Sequence, residues 1–283
     1  MSLSLESNYT NRILSSLAFA ILYYDFVLTI PQEIERFWTR KLSWPSFLFF
    51  LNRYLSVIGH IPVIIEFFAV IPESLSCQRE VNTHSRRCRE YQQYHRVISI
   101  IIQGVVAVLM LLRTYALYSR DRRVLTLLLA ILGVGTIVSL WVIISGHKAR
   151  RPTVLPGSIK AADGCDLTLS TQEGYELAIA WSTILVFDGT VFVLTLLQVM
   201  KIRQGWNSGG YFHVMLRDGA VLFICYLSNI LAYAVAKPIH KGVSTSITNV
   251  MSSTLITRFM LNIRDPRLHE CPQALEMSET TTV

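Results

Sequence analysis

Seven apolar stretches, each about long enough to cross a bilayer, constrain this chain more than anything else in it. They run roughly 13–30, 46–71, 97–118, 124–144, 176–200, 213–236 and 243–261. A spanning helix needs roughly 20 mostly apolar residues, and hydrocarbon admits only helices or closed barrels because every backbone polar group must be satisfied internally. Barrel strands would be shorter and would alternate apolar with polar residues. Runs such as Val124–Leu132 and Ile184–Leu197 do not alternate. The expected fold is therefore all-α, a seven-helix transmembrane bundle over 13–261 with a receptor-like layout, a short N-terminal tail (1–12) and a polar C-terminal tail (262–283).

Composition agrees. With 52% hydrophobic and only 16% charged residues, the chain is built for lipid, and its loops leave no room for a second domain. The net charge of +7 is no argument for nucleic acid, because the basic residues flank apolar runs, as they do at lipid headgroups. The expected partner is the bilayer itself. Only Arg12 precedes the first apolar run, Asp25 lies inside it, and no small-x-small cleavage site follows. Span 1 is thus expected to stay as an anchor.

An odd number of spans puts the termini on opposite sides, here called A (N-terminal) and B (C-terminal). The Lys and Arg tally is close, and tips to side B only when Arg53, Arg113, Arg217 and Arg258, each near the side B end of its span, are counted. Cys77, Cys88 and Cys165 fall in side A loops, and disulfides persist in oxidising compartments. Asn8 heads an Asn-Tyr-Thr glycosylation sequon on the same side. These features place side A outside or in a lumen and side B in the cytosol. Cys88 paired with Cys165 would pin the loop between spans 4 and 5 over the bundle; Cys77 with Cys88 is the alternative, and sequence does not choose between them.

Ionisable residues inside spans are costly, so they face the bundle and pair. Asp25, Asn52, Arg53, Arg113, Arg217, Asp218 and Arg258 all lie in the side B third, a candidate polar network. Asp25, Thr29, Glu33 and Arg36 share one helical face. Asp188, near the centre of span 5, is too deep to reach the headgroups; Asn229, Glu66 and His60 are further candidates for the bundle interior. Pro62 is expected to kink span 2, and Pro31 the extension of span 1. The seventh stretch is rich in Ser and Thr, which suits a helix packed among others better than one facing lipid.

Several of these residues also carry a likeness. Tyr24-Asp25-Phe26-Val27-Leu28-Thr29, Glu33, Trp38 and Phe50-Leu51-Asn52-Arg53-Tyr54 resemble the N-terminal signature of a fungal family, basidiomycete integral membrane proteins carrying a domain of unknown function. The likeness continues through Leu112–Tyr118 and the basic turn Arg120–Arg123, Gly164-Cys165, Leu216-Arg217-Asp218, Tyr226–Asn229 and Ser253–Asn262. It implies seven spans and gives weight to the side B residues, without implying an activity.

Three functions compete. A receptor-like sensor, with a cytosolic signalling partner at the side B loops and an unidentified ligand, fits the span number and the basic side B surface. A small-solute or ion transporter would use Asp188 as its midplane site. An enzyme is disfavoured, because the histidines are scattered and neither Gly-x-Ser-x-Gly nor His-Glu-x-x-His occurs. No cofactor is expected, and span 7 has no lysine for a retinal Schiff base.

Overall fold

The computed structural model describes the backbone of residues 2–39, 41, 43–68, 80–149, 171–203, 209–236 and 243–264, and side chains over somewhat shorter stretches of these. Among the described residues there is no strand. Eight α-helices follow one another: α1 (Ser2–Glu33), α2 (Trp44–Gly59), α3 (Ile61–Phe68), α4 (Glu80–Leu117), α5 (Arg122–Ala149), α6 (Thr171–Arg203), α7 (Gly209–Val235) and α8 (Val243–Ile263), with a π-helical turn at Ile34–Trp38.

Two expected irregularities occur, one of them displaced. Span 2 breaks into α2 and α3 at His60, two residues ahead of Pro62. Proline disfavours helical geometry in the residue before it and has no N–H to offer the preceding turn. The break is tight, because the Ile64 N–H still reaches the His60 carbonyl at 2.9 Å. Helix α1, in contrast, runs through Pro31, and the departure from α geometry comes as the π turn three residues later. A second difference is Cys88. Expected in a loop, it falls within α4, which starts at Glu80.

With α2 and α3 taken together as one broken helix, successive helices alternate in direction. Arg53 and Phe49 of α2 meet Thr29 and Phe37, so α2 descends as α1 rises. Tyr118 of α4 donates to the Leu194 carbonyl of α6, while Ala107 packs near Phe187, so these two run in the same direction. Every helix packs on its chain neighbour, and α8 closes the ring by packing on α1 as well as on α2, α4 and α7. Between α4 and α5 the chain reverses in four residues, with Ser119 and Arg120 both at positive φ (52° and 64°) and Asp121 capping the Arg123 N–H at 2.9 Å.

The distribution of side chains is the inverse of a water-soluble fold. Leu127, Leu129, Val134, Ile137 and Leu140 of α5 are exposed, while Ser246, Thr248, Asn249, Ser252, Ser253, Thr254 and Thr257 of α8 are buried. Exposed apolar surface on this scale needs an apolar solvent. Six helices are long and apolar enough to cross a membrane. Helix α8 is not among them; it packs on α1, α2, α4 and α7, and its hydroxyls and amides bond across to α2, α4 and α7. Exposed Trp38 and Trp44 at one end and Trp141 and Tyr175 at the other lie where amphipathic rings sit at headgroup depth.

Candidate functional site

Two polar assemblies and a cavity occupy the interior, and α8 takes part in each.

The first joins α1, α2 and α8 near the side B end. The Asp25, Thr29, Glu33, Arg36 face of α1 turns inward. Arg53 of α2 meets it, its Nε 2.6 Å from Glu33 Oε2 with both side chains almost fully buried. Its other nitrogens donate to Thr29 Oγ1 (2.7 Å) and to the Phe26 carbonyl (2.8 Å), and the guanidinium lies 4.6 Å from the centre of the Phe26 ring. Glu33 Oε1 accepts from Trp38 Nε1 (3.0 Å) and Tyr54 OH (3.1 Å). A buried ion pair offsets its desolvation only when further hydrogen bonds satisfy the two ions, and here each ion has two such bonds beyond the pair itself. From α8, Arg258 pairs with Asp25. Asn52 donates to the Ser253 carbonyl (3.2 Å) and to Thr257 Oγ1 (3.1 Å), and Arg36 donates to the Leu261 carbonyl (2.8 Å).

The second assembly is a hydrogen-bonded run through the middle of the bundle. Asn249 of α8 donates to Ser99 Oγ (2.7 Å). Gln103 of α4 donates to Asn249 Oδ1 (2.8 Å) and Ser252 Oγ (2.9 Å), and accepts from Tyr226 OH of α7 (3.1 Å). The same Tyr226 hydroxyl stands beside Asp188 of α6. Closer to side A, Thr245 donates to Asn229 Oδ1 (3.2 Å) and shares a hydrogen bond with Tyr233 OH (2.7 Å).

The third is a cavity of about 360 Å³ between α4, α6, α7 and α8, on the side B half of the bundle. Volumes of this size are typical of small-molecule sites. Its walls are mostly apolar, with Arg113, Asp188, Thr195, Asp218 and Tyr226 supplying the polar groups.

The candidates named from sequence therefore separate. Asp25, Asn52, Arg53 and Arg258 come together, but Arg113 and Asp218 face the cavity. Arg217 lines neither; its side chain is largely exposed and pairs with the adjacent Asp218 (3.2 Å). Among the described contacts the seven residues therefore do not all meet: Arg113 of α4 turns toward α8 and the cavity although α4 also packs on α2, and Arg217 and Asp218 belong to α7. His60 is fully buried against Phe19, with Nδ1 2.6 Å from the Ser56 carbonyl. The side chains of Asn8, Glu66, Cys88 and Cys165 lie outside the described residues. Glu33, Gln103 and Asn249 matter more to the interior than the sequence advertises. The signal for the last two is an uncharged amide inside a helix with no loop nearby. Among the described residues, no group of three His, Cys, Asp or Glu side chains converges to hold a metal ion.

A model described as a family of unknown function (DUF6533) matches residues 14–58, which takes in most of α1 and all but the last residue of α2, and with them Asp25, Glu33, Asn52, Arg53 and Tyr54. No curated protein and no solved structure matches the chain.

Proposed function

We propose that this chain is a seven-span membrane protein of the basidiomycete family it resembles, acting as a receptor-like sensor. Its N-terminus lies outside or in a lumen, and its C-terminus and basic side B loops face a cytosolic signalling partner. One observation carries the reading. Within a single turn of α8, Leu255, Ile256 and Phe259 line the cavity while Thr257 and Arg258 hold Asn52 and Asp25. A ligand that moves this turn has to strain or release the α1–α2 contacts on its opposite face. Packed interfaces and ion pairs rearrange between discrete states rather than yielding gradually, so the turn is a two-state coupling element. The α4–α5 turn supports the same reading by presenting Arg120, Arg122 and Arg123 on side B.

Transport with Asp188 as the working group is the alternative, and the hydrogen-bonded run bears on it. Proton relay needs groups that both gain and lose protons. Two successive links, Gln103 and Asn249, are carboxamides whose N–H groups donate without dissociating. The run fixes helices together better than it conducts.

Two measurements separate the readings. Spin labels at positions 120 and 263, in nanodiscs, report the separation of the α4–α5 turn from the end of α8. Sensing predicts a second distance population when Asp25→Asn releases Arg258; an unchanged single population contradicts it. In proteoliposomes loaded with a pH-sensitive dye, transport predicts an ion-driven proton flux that Asp188→Asn abolishes. Sensing predicts none above protein-free vesicles for either protein.

A further inference from the structure

Among the described residues, three of the four arginines near the side B ends of their spans pair with a carboxylate, and Arg113 does not. Arg53 has Glu33, Arg258 has Asp25 and Arg217 has Asp218. Arg113 lies over the face of the Phe259 ring, and among the described residues no carboxylate comes within ion-pair distance of it. A guanidinium carries five N–H donors in a planar fork that matches a carboxylate bidentately. Stacking on a ring leaves that fork unfilled, and Arg113 is part of the cavity wall.

The rest of the cavity restricts what could fill it. Its walls include Leu185, Val191, Phe192, Leu222, Leu255 and Ile256, which favour an apolar body. Phe223 and Ile224 line it and are also half or more exposed on the outer face of α7, so the cavity communicates with the lipid side. Asp188 and Asp218 line it too, the first beside Tyr226 and the second held by Arg217. They leave room for one anionic group, at Arg113, and oppose a second. Gly189 provides space: nothing lies within 4 Å of where a Cβ would stand.

We propose that this cavity binds a single-chain amphiphile bearing a carboxylate, with its head group on Arg113 and its apolar chain between α6 and α7. The proposal rests on the sensing reading for its purpose, since the occupied wall includes the coupling turn of α8, and on Arg113 and the apolar walls for its chemistry.

The test uses the full chain in nanodiscs of zwitterionic lipid and a diazirine-bearing fatty acid, with photolabelled peptides identified by mass spectrometry. Label is expected on α6 or α7, displaced by decanoate and not by an equal concentration of decanol. Arg113→Gln should lower labelling by about tenfold or more, the loss expected for a charge-assisted hydrogen bond, and Arg113→Lys by less. Gly189→Phe keeps every charge and fills the space, and should abolish labelling; it decides the matter if Arg113→Gln fails to elute as a folded monodisperse species. Wild-type labelling in Arg113→Gln or Gly189→Phe, equal displacement by decanol, or stronger displacement by decyl phosphate would each overturn the proposal. Labelling as expected, with spin-label distances unmoved by decanoate, keeps the site and removes the sensing role. Distances that respond to Asp25→Asn without any labelling remove the ligand and keep the coupling.

Discussion

Arg53 of α2 and Glu33 at the end of α1 meet at 2.6 Å with side chains 3% and 2% exposed, a buried ion pair inside the segment that matches the family model. Breaking such a pair on one side leaves a charge with no water to turn to. Glu33→Gln or Arg53→Gln should each cost about 3–5 kcal/mol, read as loss of unfolding free energy in mixed micelles. Replacing both together with Leu and Met should cost far less than the sum, because no charge is then stranded.

The Asp25–Arg258 pair should behave differently. Its arginine side chain is 47% exposed, so headgroups and water replace much of what the pair supplies. A double-mutant cycle on the two should give a coupling below about 1 kcal/mol. The same Asp25→Asn change should nevertheless alter the spacing of the side B helix ends, separating a role in conformation from one in stability.

Gln103 holds the middle run together through three partners. Gln103→Leu strands Asn249, Ser252 and Tyr226 at once and should cost about 1–3 kcal/mol. Tyr226→Phe removes one donor and should cost about 0.6–1.7 kcal/mol, the range for single interhelical hydrogen bonds in a membrane. Thermal unfolding in one detergent ranks the two variants, and the reverse order would contradict the hydrogen-bond assignment.

Two glycines on the cavity wall should respond in opposite ways to alanine. A Cβ at Gly219 would overlap the Phe192 ring, and an aromatic ring cannot swing aside as a flexible chain end can. Gly219→Ala should destabilise by about 1–3 kcal/mol. Gly189 meets open space, so Gly189→Ala should be neutral or stabilise by up to about 1 kcal/mol through helix propensity. Parallel melts of the two variants check this.

Much of the helical architecture could be read from apolar run length, because lipid imposes a length and composition that soluble cores do not. The inward face of α1 could be read from the spacing of Asp25, Thr29 and Glu33, and the break before Pro62 from proline's missing donor. What could not be read is which helices meet across the bundle. Arg113, Arg217 and Arg258 lie at similar depth, yet rotation about their own helix axes sends one to the cavity, one to the surface and one to Asp25. Length and hydropathy leave α8 out of the six candidate spans, and its enclosure by four other helices is visible only in the fold. Gln103 and Asn249 carry no charge to mark them, and their importance follows from pairing between helices far apart in the chain.

The central claim is that polar α8 crosses the bilayer as a seventh helix, closing the ring between α1 and α7. Epitope tags at the two chain ends, probed by protease in sealed, right-side-defined vesicles, test it directly. The account predicts that one tag is cleaved from outside and the other only after the vesicles are opened. Cleavage or protection of both tags together would contradict it.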